Sequence, residues 1–140
     1  VWRSCLLGQK MSLLSSVKTH EGLRLTPYLC TSGVQTIGFG RNLERGITIQ
    51  EAELLLLNDL EASTEEAKQF EFYSYLTSNR QDVIVEMIFN LGLTRFKNFK
   101  KTIKAIENKD FASAADEMLN SAWANQVGQR AITLSNKMRG

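Results

Sequence analysis

Three residues in the first third of this 140-residue chain carry side chains suited to act together on one polar bond: Glu21, Cys30 and Thr36. Glu21 stands where a helical pattern gives way to a strand-like one, with Gly22 behind it. A carboxyl at such a junction can face a cleft, where partial burial raises its pKa toward that of a general acid. Eight residues separate Glu21 from Cys30, and five separate Cys30 from Thr36. Strand residues of even separation share a face, and a turn between two strands brings Cys30 and Thr36 to the same side. Each residue also has a plainer reading: a solvated helix-end carboxylate, an inert buried thiol, and a threonine chosen for β propensity. Taken together, the three could line one cleft.

His20, the sole histidine, precedes Glu21. Consecutive helix residues point apart, so His20 is expected at the surface rather than as a catalytic partner. One histidine with two distant cysteines lacks the spacing of a metal site, and no metal or other cofactor is expected.

The whole chain sets further bounds. Apolar residues make up 43% and charged residues 23%, the composition of a folded, soluble domain. With 17 basic and 15 acidic residues the formal charge is +2, and no basic stripe points to nucleic acid; mild attraction to an anionic polymer is all it supports. The densest apolar run, "ELLLLNDL", is far short of the roughly 18 residues of a membrane helix. The opening "VWRSCLLGQK" makes a poor signal peptide, and residues 1–10 are expected to be an N-terminal arm or residues foreign to the natural chain. Cys5 and Cys30 form no disulfide framework and are read as two unrelated thiols, although spacing alone does not decide whether they pair.

The elements that must position the three residues follow from periodicity. Leu13, Leu14 and Val17 predict a helix from Met11 to His20, capped by Ser12 and ending near Glu21 and Gly22. "LRLTPYLCTSGVQTIGFGRNL" predicts two or three short antiparallel strands with a turn at 31–33. "TIQE" is a capping box, with Thr48 at the cap and Glu51 three residues on, opening a helix that reaches the low sixties or beyond. Further helices are expected from an Asn79 cap to Gly92, over "FKKTIKAIENKD", over "FASAADEMLNSAW", and over "VGQRAITLSNKMRG". The fold class is therefore α+β, mainly α: residues 11–140 form one domain with a strand-bearing lobe at about 20–47, a connecting helix at about 48–62 and a helical lobe at about 63–140.

The run "EGLRLTPY", then Cys30, then "TSGVQTIGFGRNL" resembles the active-site signature of the phage-type lysozymes, glycoside hydrolase family 24. In that family a glutamate, an aspartate or cysteine, and a threonine recur at this spacing. "GITIQEAELLLLNDL" resembles the family's interlobe helix, "MIFNLG" a cleft-lining helix, and "AWANQVGQRA" the segment near its carboxyl end. The likeness runs over roughly residues 12–139 and implies a lysozyme-like fold with a cleft between two lobes.

The resemblance implies that Glu21 is the general acid and that Thr36 holds a water or the substrate on the opposite face. It places Arg130 near the glutamate and gives Tyr28, Asn90 and Gln126 substrate-binding or supporting roles. Trp123 and Phe89 are read as core, with Tyr28 and Phe39 free to face sugar rings. Two positions depart from the family: Cys30 stands where aspartate is frequent, and Arg41 where a histidine follows the turn. Residues 22–43 contain no Asp or Glu, so no second carboxylate accompanies Glu21. Cys30 would then serve as base or nucleophile if its pKa were lowered, or would only shape the water site. The implied activity is that of a monomeric endolysin cutting the β-1,4 bond between N-acetylmuramic acid and N-acetylglucosamine of bacterial peptidoglycan. Such a protein would sit in the host cytoplasm until lysis. A lytic transglycosylase and a non-catalytic wall-binding module are the alternatives.

Overall fold

The computed structural model describes residues 2–140, with side chains from Met11 onward. Any Cys5–Cys30 disulfide lies outside the described side chains. The chain divides into two compact units, residues 1–52 and 53–140.

In the first unit, helix α1 spans Trp2–Glu21. It starts nine residues before the predicted Met11, so Ser12 is an interior residue and not a cap. No proline interrupts residues 2–11, and extending a helix already nucleated adds one hydrogen bond per residue, enough to carry it through Gly8. Gly22, at φ +72°, ends the helix by donating its N–H to the Lys18 carbonyl at 3.0 Å. The sheet is β1 (Arg24–Leu29), β2 (Gln35–Gly38) and β3 (Arg41–Asn42), antiparallel throughout and ordered β1-β2-β3. Tyr28 lies opposite Thr36, and Thr36 opposite Asn42. The register shifts between Arg24 and Tyr28, around Pro27, which has no N–H to give to a ladder and is accommodated at such an irregularity.

The loop after β3 is held by a clamp. Arg41 grips Glu51 with both terminal nitrogens, at 2.9 and 2.8 Å, and donates to the Gly46 carbonyl at 3.3 Å. The predicted capping box is present: Thr48 Oγ1 accepts from the Glu51 N–H and Glu51 Oε1 from the Thr48 N–H, each at 3.2 Å. Helix α2 then runs over Ile49–Ala67, with all but its first turn in the second unit.

The second unit continues with α3 (Ser78–Leu91), α4 (Leu93–Lys97), α5 (Lys100–Glu107), α6 (Phe111–Leu119), α7 (Ala122–Val127) and α8 (Gln129–Arg139). Gly92, at φ +83°, closes α3 as expected, but the cap at its start is Thr77, whose hydroxyl accepts from the Arg80 N–H, and not Asn79. Thr77 keeps an extended backbone, whereas Asn79 already lies inside the first turn. The helix expected to run through Trp123 breaks at Asn120. There Ser121 caps a new one by accepting from the Ala124 N–H at 3.1 Å. Val83, Ile84, Met87 and Ile88 bury one face of α3 against Phe72, Phe96, Met118, Leu134 and Met138. Rings of Phe70, Phe96, Phe99 and Trp123 follow one another at 5.3, 6.4 and 6.0 Å. Trp123 is core, as expected. Phe89 is not: it follows Ile88 by one residue, turns off the buried face, and is 38% exposed.

Among the described residues no helix is long and apolar enough to cross a membrane, and no His, Cys, Asp and Glu cluster could hold a metal ion.

Candidate active site

Glu21 is the last residue of α1, delivered there because Gly22 terminates the helix. Its carboxyl sits against Gly40, in the turn between β2 and β3: a Cβ built on Gly40 would lie 2.5 Å from Glu21 Oε2 and 2.8 Å from Cδ. His20, one residue earlier, is exposed, and its Nδ1 lies 3.5 Å from the Ser16 hydroxyl.

Cys30 and Thr36 are brought together by the hairpin. After Leu29 the chain closes through Cys30, whose N–H donates to the Val34 carbonyl at 3.0 Å and whose carbonyl accepts from the Gly33 N–H at 2.8 Å. The register places Tyr28, Cys30, Val34 and Thr36 on one face of the sheet. Thr36 is nearly fully buried at 4% exposure, and its hydroxyl donates to the Val34 carbonyl at 2.9 Å. Arg24 lies over the ring of Tyr28, 4.7 Å from its centre.

The free thiol of Cys30 is held below the ordinary thiol range. The backbone N–H of Val34 contributes most, followed by that of Ser32; the hydroxyls of Thr36 and Ser32 add to it, and partial burial opposes it. Hydrogen bonds directed at sulfur favour the thiolate. Thr36 has one hydroxyl proton, which goes to the Val34 carbonyl, so its oxygen can still accept.

The remaining candidates lie in the helical unit. Asn90 Oδ1 accepts from the Trp123 indole N–H at 2.8 Å, which fixes its amide. Arg130 pairs through Nε with Glu86 Oε1 at 2.9 Å. Gln126 lines a groove of about 540 Å³ between α5 and the α6–α7 turn, floored by Phe99 and Trp123 and edged by Lys100 and Lys101. Sequence reasoning missed this groove. Its signal was the break at Asn120 and Ser121, hidden inside a run that reads as one amphipathic helix.

A three-stranded sheet following a long helix, a separate helical body, and an acid upstream of a primed thiol and a buried threonine define a lysozyme-like α+β protein. The model of the Phage lysozyme family matches residues 18–139, and the chain belongs to that family. It is 31% identical to "Probable T4-type lysozyme 2" of Dictyostelium discoideum over 86% of this chain and 89% of that protein. It is 33% identical to "Endolysin" of Acyrthosiphon pisum secondary endosymbiont phage 1, over 81% of this chain and 80% of that protein. "Endolysin" of Salmonella phage P22 is 29% identical over 90% of each chain. The protein is an enzyme of the lysozyme type.

Proposed function

We propose that this lysozyme hydrolyses the β-1,4 bond between N-acetylmuramic acid and N-acetylglucosamine in bacterial peptidoglycan, and that its role is host-cell lysis. The observation that carries the reading is Cys30 on one sheet face with the buried Thr36, at the position where the family frequently has a carboxylate. Glu21 donates its proton to the leaving glycosidic oxygen as the C1–O bond breaks. A water whose hydrogen is accepted by the Thr36 oxygen adds to C1, and its proton passes to the Cys30 thiolate. Proton exchange with solvent then restores both groups. Tyr28 lines the same sheet face, while Asn90, Gln126 and Arg130 are supporting residues of the helical unit. The protein works as a monomer, without a cofactor, on a wall polymer whose negative charge its net +2 matches.

Clearing of purified peptidoglycan by the wild type, Glu21→Gln and Cys30→Ser tests this. Wild-type clearing with new reducing ends, lost in Glu21→Gln and reduced in Cys30→Ser, is the expected result. Equal clearing by Glu21→Gln would remove the acid from the mechanism. Binding to the wall without clearing would make the chain a wall-binding module.

A further inference from the structure

The turn between β2 and β3 carries a glycine whose missing side chain has a use. Gly40 combines two features of which Gly22, Gly33, Gly38 and Gly46 show only one. Its φ is +72°, a region that disfavours any L side chain. In addition, a methyl group there would come within 2.5 Å of Glu21 Oε2, closer than real contacts allow. Gly46 has the same φ of +72° with nothing within 4 Å of an added Cβ, and Gly22, Gly33 and Gly38 are equally open. Backbone conformation alone therefore accounts for a glycine at those positions, whereas at 40 an added side chain would also have to displace the neighbouring carboxyl.

We propose that Gly40 is a positioning residue for the acid: the space left by its absent side chain is the seat of the Glu21 carboxyl. This rests on the reading of Glu21 as general acid. The carboxyl hangs from the last residue of α1 with its own rotatable bonds, so the helix end fixes its Cα but not its oxygens. With no Cβ at 40, the carboxyl lies directly against the turn, in space that a side chain there would fill. Any residue larger than glycine at 40 pushes the carboxyl off the leaving oxygen while leaving the chain fold and the Cys30–Thr36 pair in place.

The test compares Gly40→Ala with Gly46→Ala, which shares the φ of +72° without the clash. On soluble glycan strands, Gly40→Ala should lower kcat by about tenfold to a hundredfold relative to Gly46→Ala with KM little changed, as a displacement of about 1 Å does to a reacting group. Equal kcat for the two variants would overturn the proposal. Thermal unfolding supplies a readout independent of activity. In a Glu21→Ala background the clash is gone, so the Tm loss caused by Gly40→Ala should shrink. The same loss in both backgrounds would contradict the contact. If Gly40→Ala alone does not fold, Gly40→Ala/Glu21→Ala should; its failure to fold while Gly46→Ala folds would equally overturn the proposal. A fully active Glu21→Gln would sink the acid reading itself and leave the unfolding comparison standing. An inert Glu21→Gln beside a fully active Gly40→Ala would sink only the role of Gly40.

Discussion

The two units hold their residues in place by different means. In the helical unit the buried apolar residues run from Ala67 to Met138, and side chains such as Phe72, Phe96, Ile84 and Met87 are almost entirely out of solvent. In the first unit, among its described side chains, only Thr36 is buried; Leu13, Leu25 and Leu29 are 65%, 80% and 62% exposed. What fixes its geometry is turn chemistry and hydrogen bonding: the Gly22 helix stop, the Cys30–Val34 closure, the Arg41–Glu51 clamp and the capping box. Packing thus supports the stability of one unit, and directed polar contacts the chemistry of the other. Substitutions should separate accordingly.

The largest separation is expected between Glu21→Gln and Phe96→Ala. Glu21→Gln should cost about a hundredfold to ten-thousandfold in kcat with its Tm near that of the wild type, since one exposed acid at a helix end contributes little packing. Phe96→Ala empties a fully buried ring site and should cost about 3–5 kcal/mol of stability while the molecules still folded in the cold keep their turnover. Chemical denaturation alongside glycan-strand kinetics checks both. A Glu21→Gln variant that unfolds as readily as Phe96→Ala would break the comparison.

A smaller effect sharpens the account of the thiol. Alkylation of Cys30 by iodoacetamide, followed against pH, should reach half its maximal rate below the ordinary thiol value of about 8.5. Thr36→Val removes a hydroxyl that favours the thiolate and should move that midpoint upward, with Ser32→Ala moving it less through its own hydroxyl. An unchanged midpoint in Thr36→Val would separate the two residues chemically.

The smallest effect is expected at the clamp. Hydrogen bonding from Arg41 holds the Glu51 carboxyl below the usual carboxylate range, with further contributions from Thr48. Because the folded pKa is depressed, this contribution is present above the unfolded carboxylate pKa and is lost as pH falls through the folded value. Arg41→Ala should therefore lower Tm by a few degrees at most near neutral pH, and the difference should shrink in strong acid, where only the bond to the Gly46 carbonyl remains. A difference that did not shrink in acid would mean that the Glu51 charge contributes nothing to the clamp.

Much of this was legible in the sequence because it is local. The helix stop at Gly22, the turn at 31–33, the capping box at Thr48 and the close of α3 at Gly92 all depend on residues within one turn of each other. The placement of Cys30 and Thr36 on one face followed from strand parity once a hairpin was assumed. The rest depends on contacts that periodicity does not encode. Arg41 meets Glu51 across ten residues and Gly40 meets Glu21 across nineteen, neither a distance that a helical or strand repeat reports. Within the helical unit, Arg130 bonds Glu86 through Nε across forty-four residues. Thr77 replaced Asn79 as a cap because both residue types cap well and only the backbone at 77 is extended.

The central claim is hydrolysis by an acid–thiol pair, and digestion of peptidoglycan in ¹⁸O-labelled water tests it most directly. Mass spectrometry of the released fragments should find one ¹⁸O at each new reducing-end muramic acid in the wild-type digest, and none released by Glu21→Gln. Fragments ending in unlabelled 1,6-anhydro-muramic acid would show that a sugar hydroxyl, and not water, attacks the bond, and would contradict the account.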